Sequence, residues 1–190
     1  MKTYRNAERT RKWIRRAFRE MMAEKGDIAE ITVTELARRA DISKTTFYYH
    51  YDDIYAVAED YENELMEALS AALAELNRNA AARPLQFAQY AQRIIAVLKE
   101  NEEDYRMVMR AASPRLFVER LKRIIARQIG ENAAFLPLDP DPARRQVQLC
   151  FLCSACVDVV VEYLYGNLSA SPDTVTEVIC DAIHKLERPL

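Results

Sequence analysis

Glycine is nearly absent: Gly26, Gly130 and Gly166 are the only three in 190 residues. Hairpin-rich β architecture and phosphate-cradling loops each need several glycines, so the sequence argues against both. Histidine is scarcer still. His50 and His184 stand alone, and neither belongs to a nucleophile or carboxylate constellation. HExxH, GxSxG and Walker patterns are missing as well, so the expectation is no enzyme, with an α-helical enzyme as the competing class. No metal site and no separate cofactor are implied. A long charge-free apolar run is also lacking. The longest candidate, VQLCFLCSACVDVVVEYLY (147–165), is interrupted by Gln148, Asp158 and Glu162. That reads as a buried helix of a soluble protein rather than a membrane span. The opening MKTYRNAERTRKW has no apolar stretch of a signal peptide, and the expected location is the cytoplasm, with no membrane partner.

Half of the residues are apolar and 29% are charged, an ordinary globular composition for one large or two small domains. The charge is unevenly placed. Residues 1–51 hold twelve Lys and Arg against seven Asp and Glu, and the remainder fifteen against twenty-two. A basic head on an acidic body points to nucleic acid or an anionic surface, against the alternative of chance scatter over solvated helix faces.

Apolar residues recur at helical spacing along the chain. Trp13, Ile14, Ala17, Phe18, Met21 and Met22 form the stripe of a first helix over 6–25, stopped by Gly26. Thr32 to Glu35 is a T-x-x-E capping box opening a short second helix that carries Leu36 and Ala37 inward. Asp41 suits a left-handed turn, and Ser43 caps a third helix, SKTTFYYH. Further helices follow over 53–79, from Pro84 to Asn101, a short one over 102–112, then from Pro114, and over 142–165 and 172–187, with PLDPDP (137–142) the only proline-rich break. The expected class is all-α with about nine helices: a three-helix head over 1–52 and a helical body over 53–190.

Two short helices joined by a tight turn form a helix-turn-helix, whose second helix enters the major groove of DNA. At 100° per residue Phe47 lies opposite Lys44, Thr45, Tyr48 and Tyr49, so Phe47 should plug the head core and leave the others outside. Lysine donates to guanine or phosphate, a threonine methyl touches thymine, and phenols donate to phosphate.

ITVTELARRADISKTTFYYHY, followed at once by a long helix, resembles the DNA-binding head of the tetracycline-repressor-like (TetR) transcription regulators. The resemblance covers residues 9–65. It rests on a basic first helix, T-x-x-x-L-A in the second, and Thr-Phe-Tyr-Tyr-His-Tyr in the third; beyond residue 80 it rests on length and helix number. It implies a homodimer on double-stranded operator DNA, acting as a regulator, a repressor in the first instance, under control of a small-molecule effector bound by the body. It further implies phosphate contact by Thr32, base or phosphate contact by Thr34, base-edge contact by Lys44, Thr45 and Tyr49, and phosphate contact by Tyr48 and His50. Leu36, Ala37, Ile42, Phe47 and Tyr51 become scaffold. One departure stands out: many relatives carry lysines after the aromatic run, where this chain has Asp52 and Asp53. These cap the fourth helix, or else they face phosphate unfavourably, in which case either Arg5, Arg9 and Lys12 of the first helix compensate or DNA affinity is modest. The second possibility keeps open a regulator that works mainly through a protein partner.

In the body, Tyr90, Ile94, Tyr105, Met109, Phe117 and Phe151 are the candidates for an apolar effector pocket. Cys153, Val157, Val161, Val175, Ile179 and Ile183, on the last two helices, are the candidate dimer interface. Cys150, Cys153 and Cys156 have a C-x-x-C-x-x-C spacing, compatible with an iron–sulfur site or a redox sensor. With no fourth cysteine nearby, packing as small apolar residues on one helix stripe is the favoured reading.

Overall fold

The computed structural model describes residues 2–79, 87–111, 114–130 and 139–187. Among them all regular structure is helical: α1 (Lys2–Lys25), α2 (Val33–Arg39), α3 (Lys44–His50), α4 (Ile54–Asn79), α5 (Phe87–Glu100), α6 (Glu102–Ala111), α7 (Pro114–Gly130), α8 (Pro142–Tyr165) and α9 (Pro172–Glu187), with one 3-10 turn (Ile28–Glu30). The all-α class and the helix number are those expected. The start near Pro84, Pro137 and Leu138 of the proline-rich break, and the side chains of Arg5, Phe87 and Leu186 lie outside the described residues.

The chain clusters into two compact units, Met1–Leu65 with Glu103–Pro114, and Met66–Glu102 with Arg115–Leu190. α6 falls in the first unit because Tyr105 is fully buried and donates to the Leu65 carbonyl at 3.2 Å, Asp104 pairs with Arg19, and Met107 packs on the head core.

In the first unit, α1 buries Ile14, Ala17, Phe18, Met21 and Met22. Trp13, expected in the same stripe, is 44% exposed, with the Arg9 guanidinium 5.0 Å from its ring centre. Gly26 ends the helix at φ 77°, a left-handed conformation that glycine adopts without a Cβ penalty, and its N–H reaches the Met22 carbonyl at 2.8 Å. Leu36 and Phe47 are fully enclosed with Ile14 and Val57. Each such side chain contributes on the order of 1.5–3 kcal/mol by leaving water.

In the second unit α5 packs along α9, and α8 also meets α9. Tyr90 donates to Asn77 at 2.5 Å, and Asn77 donates to the Gln128 side chain at 2.9 Å, joining α5, α4 and α7. Ion pairs Lys99–Asp173 and Lys122–Asp158 close the surface at 2.8 and 2.6 Å. α8 is long and apolar enough to cross a membrane, yet only 28% of its most apolar window is buried. Its buried residues are Cys153, Val157, Val160, Val161 and Leu164. Expected as a buried helix, α8 is covered on one side and open on the other within this chain.

Candidate nucleic-acid interface

The α2–α3 turn is built from local hydrogen bonds. Thr32 Oγ1 accepts from the Glu35 N–H at 3.3 Å, and the Glu35 carboxylate takes the Thr32 N–H at 3.3 Å, completing the capping box. Lys25 binds the same carboxylate at 2.9 Å, and this bond, then that from Thr32, lowers the Glu35 carboxyl to about 2. At the other end of α2 the Ile42 N–H reaches the Ala37 carbonyl at 2.9 Å and the Asp41 N–H reaches the Arg38 carbonyl at 3.2 Å. That pair of bonds is a Schellman motif, with Asp41 in its left-handed position at φ 54°. Ile42 packs on the head core, as the motif's apolar contact requires. Ser43 Oγ then accepts from the Thr46 N–H at 3.0 Å and starts α3.

This construction presents α3 as the helical spacing predicts. Phe47 is fully buried, while Lys44 and Thr45 are exposed, Tyr48 is 56% exposed and Tyr49 79%. Two large phenols left in water on a seven-residue helix are a feature to be explained, because such rings are usually enclosed when nothing else needs them. Thr34 is exposed on α2. Thr32 is exposed too, but its hydroxyl already donates to Glu35 at 2.9 Å, so a phosphate there competes with the cap. His50 is half-buried, and burial, followed by the nearby Arg11 charge, holds its imidazole below the ordinary value.

A half-buried ionic cluster holds α3 in place. Tyr51 donates to Asp60 at 2.5 Å, and Arg15 reaches Asp60 at 2.7 Å and Glu64 at 2.8 Å. Burial opposes the charge on Asp60, yet the bonds from Tyr51 and Arg15 prevail and keep its carboxyl below the usual range. Asp53 has a comparable structural task. Its Oδ1 accepts from the Ala56 N–H at 2.8 Å, capping α4, while Asp52 is exposed.

Among the described residues Arg9, Arg11, Lys12, Arg38 and Lys44 are exposed and make no ion pair. Arg38 was not singled out from the sequence. Its neighbour Arg39 is held by Glu24 through two bonds of 2.7 Å, and nothing in the run ELARRAD tells the tethered arginine from the free one.

The body candidates are redistributed. Tyr90 and Ile94 line an apolar cavity between α5, α7, α8 and α9. Tyr105 and Met109 belong instead to the first unit, Phe117 is buried away from the cavity lining, and Phe151 is 63% exposed. Conversely Cys153, Val157, Val161, Val175, Ile179 and Ile183 are all buried within the chain and offer no surface to a partner. Among the described residues the open apolar surface on these helices includes Val147, Phe151, Ala155 and Val159 on α8, with Val178 and Ala182 on α9. The three clustered cysteines do not share one stripe: Cys150 is exposed, Cys153 is buried, and Cys156 is half-buried. Three residues turn a helix by only 300°, so each step drifts 60° around it. Among the described residues no group of three metal-binding side chains converges.

No family model matches the sequence. A 47-residue segment is 43% identical to an uncharacterized HTH-type transcriptional regulator of Bacillus subtilis, covering 25% of this chain and 12% of that protein. The chain thus spans only a small part of that relative's length. Two solved structures resemble almost the whole chain. A TetR transcriptional regulator from Streptococcus agalactiae matches over 96% of this chain and 98% of its own, at a TM-score of 0.66 and 17% identity. A TetR-family regulator from Streptomyces coelicolor matches over 95% of each chain, at a TM-score of 0.57 and 17% identity. From the helix-turn-helix to the helical body, the chain has the all-α fold of the TetR regulators.

Proposed function

We propose that the protein is a TetR-type transcription regulator, a cytoplasmic repressor that binds operator DNA as a homodimer and releases it when a small molecule occupies the body. The observation that carries this reading is the exposure of Lys44, Thr45, Tyr48 and Tyr49 on α3 around a fully buried Phe47. Polar donors face outward on a rigid, capped helix, as major-groove reading requires. Thr34, His50 and the unpaired cations Lys12 and Arg38 supply phosphate contacts that fix register. Capping by Asp53 accounts for one of the two carboxylates that set this head apart, so it favours direct DNA binding over action through a protein partner.

The open apolar stripe of Val147, Phe151, Ala155 and Val159 supports the dimer. A face of this kind on a soluble chain is covered by another surface, and a two-fold arrangement covers it with itself. Two heads held this way read successive major grooves of a near-palindromic site.

The test is fluorescence anisotropy with a duplex from the region upstream of the protein's own gene, titrated across salt. Each neutralised phosphate contributes about −0.9 to the slope of log affinity against log salt, so Arg38→Ala should flatten the slope by about 2 for a dimer, while Lys44→Ala should weaken binding several-fold. Absence of binding at low salt, or affinity unchanged in Lys44→Ala, refutes the proposal.

A further inference from the structure

The cavity between α5, α7, α8 and α9 measures about 40 Å³, and its accessible wall is entirely apolar. Ile94, Leu121, Ile125, Leu152 and Val157 make up much of it. Among the described residues only Tyr90, Cys153 and Cys156 bring a side-chain heteroatom to the lining, and no charged side chain does. Each of the three is accounted for. The Tyr90 hydroxyl is committed to Asn77 at 2.5 Å. Burial pushes the Cys153 and Cys156 thiols up to about 11, so both are neutral and weakly nucleophilic at pH 7.

We infer that this cavity takes a small, uncharged, apolar molecule, bound without covalent chemistry, and rejects analogues of the same shape that carry a carboxylate or an ammonium group. The assignment rests on the effector reading above and names the chemistry of its ligand. A charge buried here meets neither a counter-ion nor a free hydrogen-bond partner, a cost that shape cannot offset. An apolar cavity stays dry, so an apolar guest displaces no bound water and gains dispersion contacts on every side. Pockets that enclose drug-sized ligands measure roughly 300–1,000 Å³. Anything beyond a few heavy atoms must therefore part the helices around this one. A guest that parts them has different affinities for two states of the body, which effector control requires.

The probes are toluene, benzoate and benzylamine, matched in shape and differing in charge at pH 7. Alkylation of the thiols by iodoacetamide, read by mass spectrometry, reports occupancy, and exposed Cys150 serves as the internal reference. Toluene should raise the melting temperature and slow labelling of Cys153 and Cys156 at least threefold relative to Cys150, while benzoate and benzylamine do neither. Ala91→Leu, which fills the cavity from α5, should abolish the toluene effect; Cys156→Leu serves the same purpose if the first variant fails to fold. Equal protection by benzoate or benzylamine, no response to toluene, or protection that persists in the filled variants overturns the assignment. Anisotropy on operator DNA is measured in parallel. Thiol protection with unchanged DNA affinity upholds the cavity's ligand class and refutes effector control instead.

Discussion

Phe151→Ala tests how the open side of α8 is covered. The side chain is 63% exposed, on a face shared with Val147, Ala155 and Val159. A phenylalanine buries about 150–250 Å² when fully enclosed, so roughly 95–160 Å² remains here for a second copy to cover. At about 25 cal/mol per Å² this is about 2.4–4 kcal/mol per protomer. A two-fold interface contains the residue twice, which doubles the figure. Area overstates affinity, however, because association orders side chains and the truncated face relaxes. Halving the doubled value leaves about 3 kcal/mol, or roughly two decades in the dimer dissociation constant. Sedimentation velocity across a dilution series measures that constant, with circular dichroism as the check on folding. Cys153→Ser provides the contrast. Its thiol is buried within the chain and lines the cavity, so it should lower the melting temperature and leave the dimer constant within a few-fold. A wild-type chain that sediments as a monomer at micromolar concentration refutes the reasoning. So does a Phe151→Ala variant with an unchanged constant.

Two further predictions concern the head. Asp41 sits at φ 54° in the α2–α3 turn, where a β-branched residue costs about 1–2 kcal/mol more than one that tolerates the left-handed region. Asp41→Val should therefore lower the urea midpoint and weaken DNA binding, while Asp41→Gly stays within about 0.5 kcal/mol of wild type because relief of strain offsets lost chain stiffness; equal midpoints for the two variants would refute the role of the turn. His50 is held below its ordinary value of 6.5 in the free protein, so its contribution to stability is present above 6.5 and is lost as pH falls through 6.5 toward the folded value. A phosphate at His50 raises that value again, so DNA binding takes up at most one proton per head and affinity climbs as pH falls from 8 to 6. His50→Gln should abolish this dependence in anisotropy titrations, and a pH profile identical to wild type excludes the contact.

The head could be read from the sequence because its determinants are local. The Thr32–Glu35 cap, the Asp41 turn and the Ser43 cap each close within five residues, and helical spacing alone separates Phe47 from Tyr48 and Tyr49. The body offers no such handle. In α8 the run Leu149-Cys150-Phe151-Leu152-Cys153 is apolar at every step, so periodicity cannot say which side faces inward. Contact with α5 and α9 decides it, turning Cys153 in and Phe151 out. Of the pocket candidates Tyr90 and Ile94 line the cavity, while the six interface candidates are turned inward. α6 is placed by contacts equally remote in sequence: Arg19 and Leu65, the partners of Asp104 and Tyr105, lie 85 and 40 residues away from them. The helix-turn-helix is set by short-range caps and turns, whereas the inward and outward faces of the body helices depend on which of two apolar sides a neighbouring helix covers. The chemistry of Phe151 and of Cys153 was therefore visible from the start, and only packing could leave one open to solvent and turn the other toward a cavity.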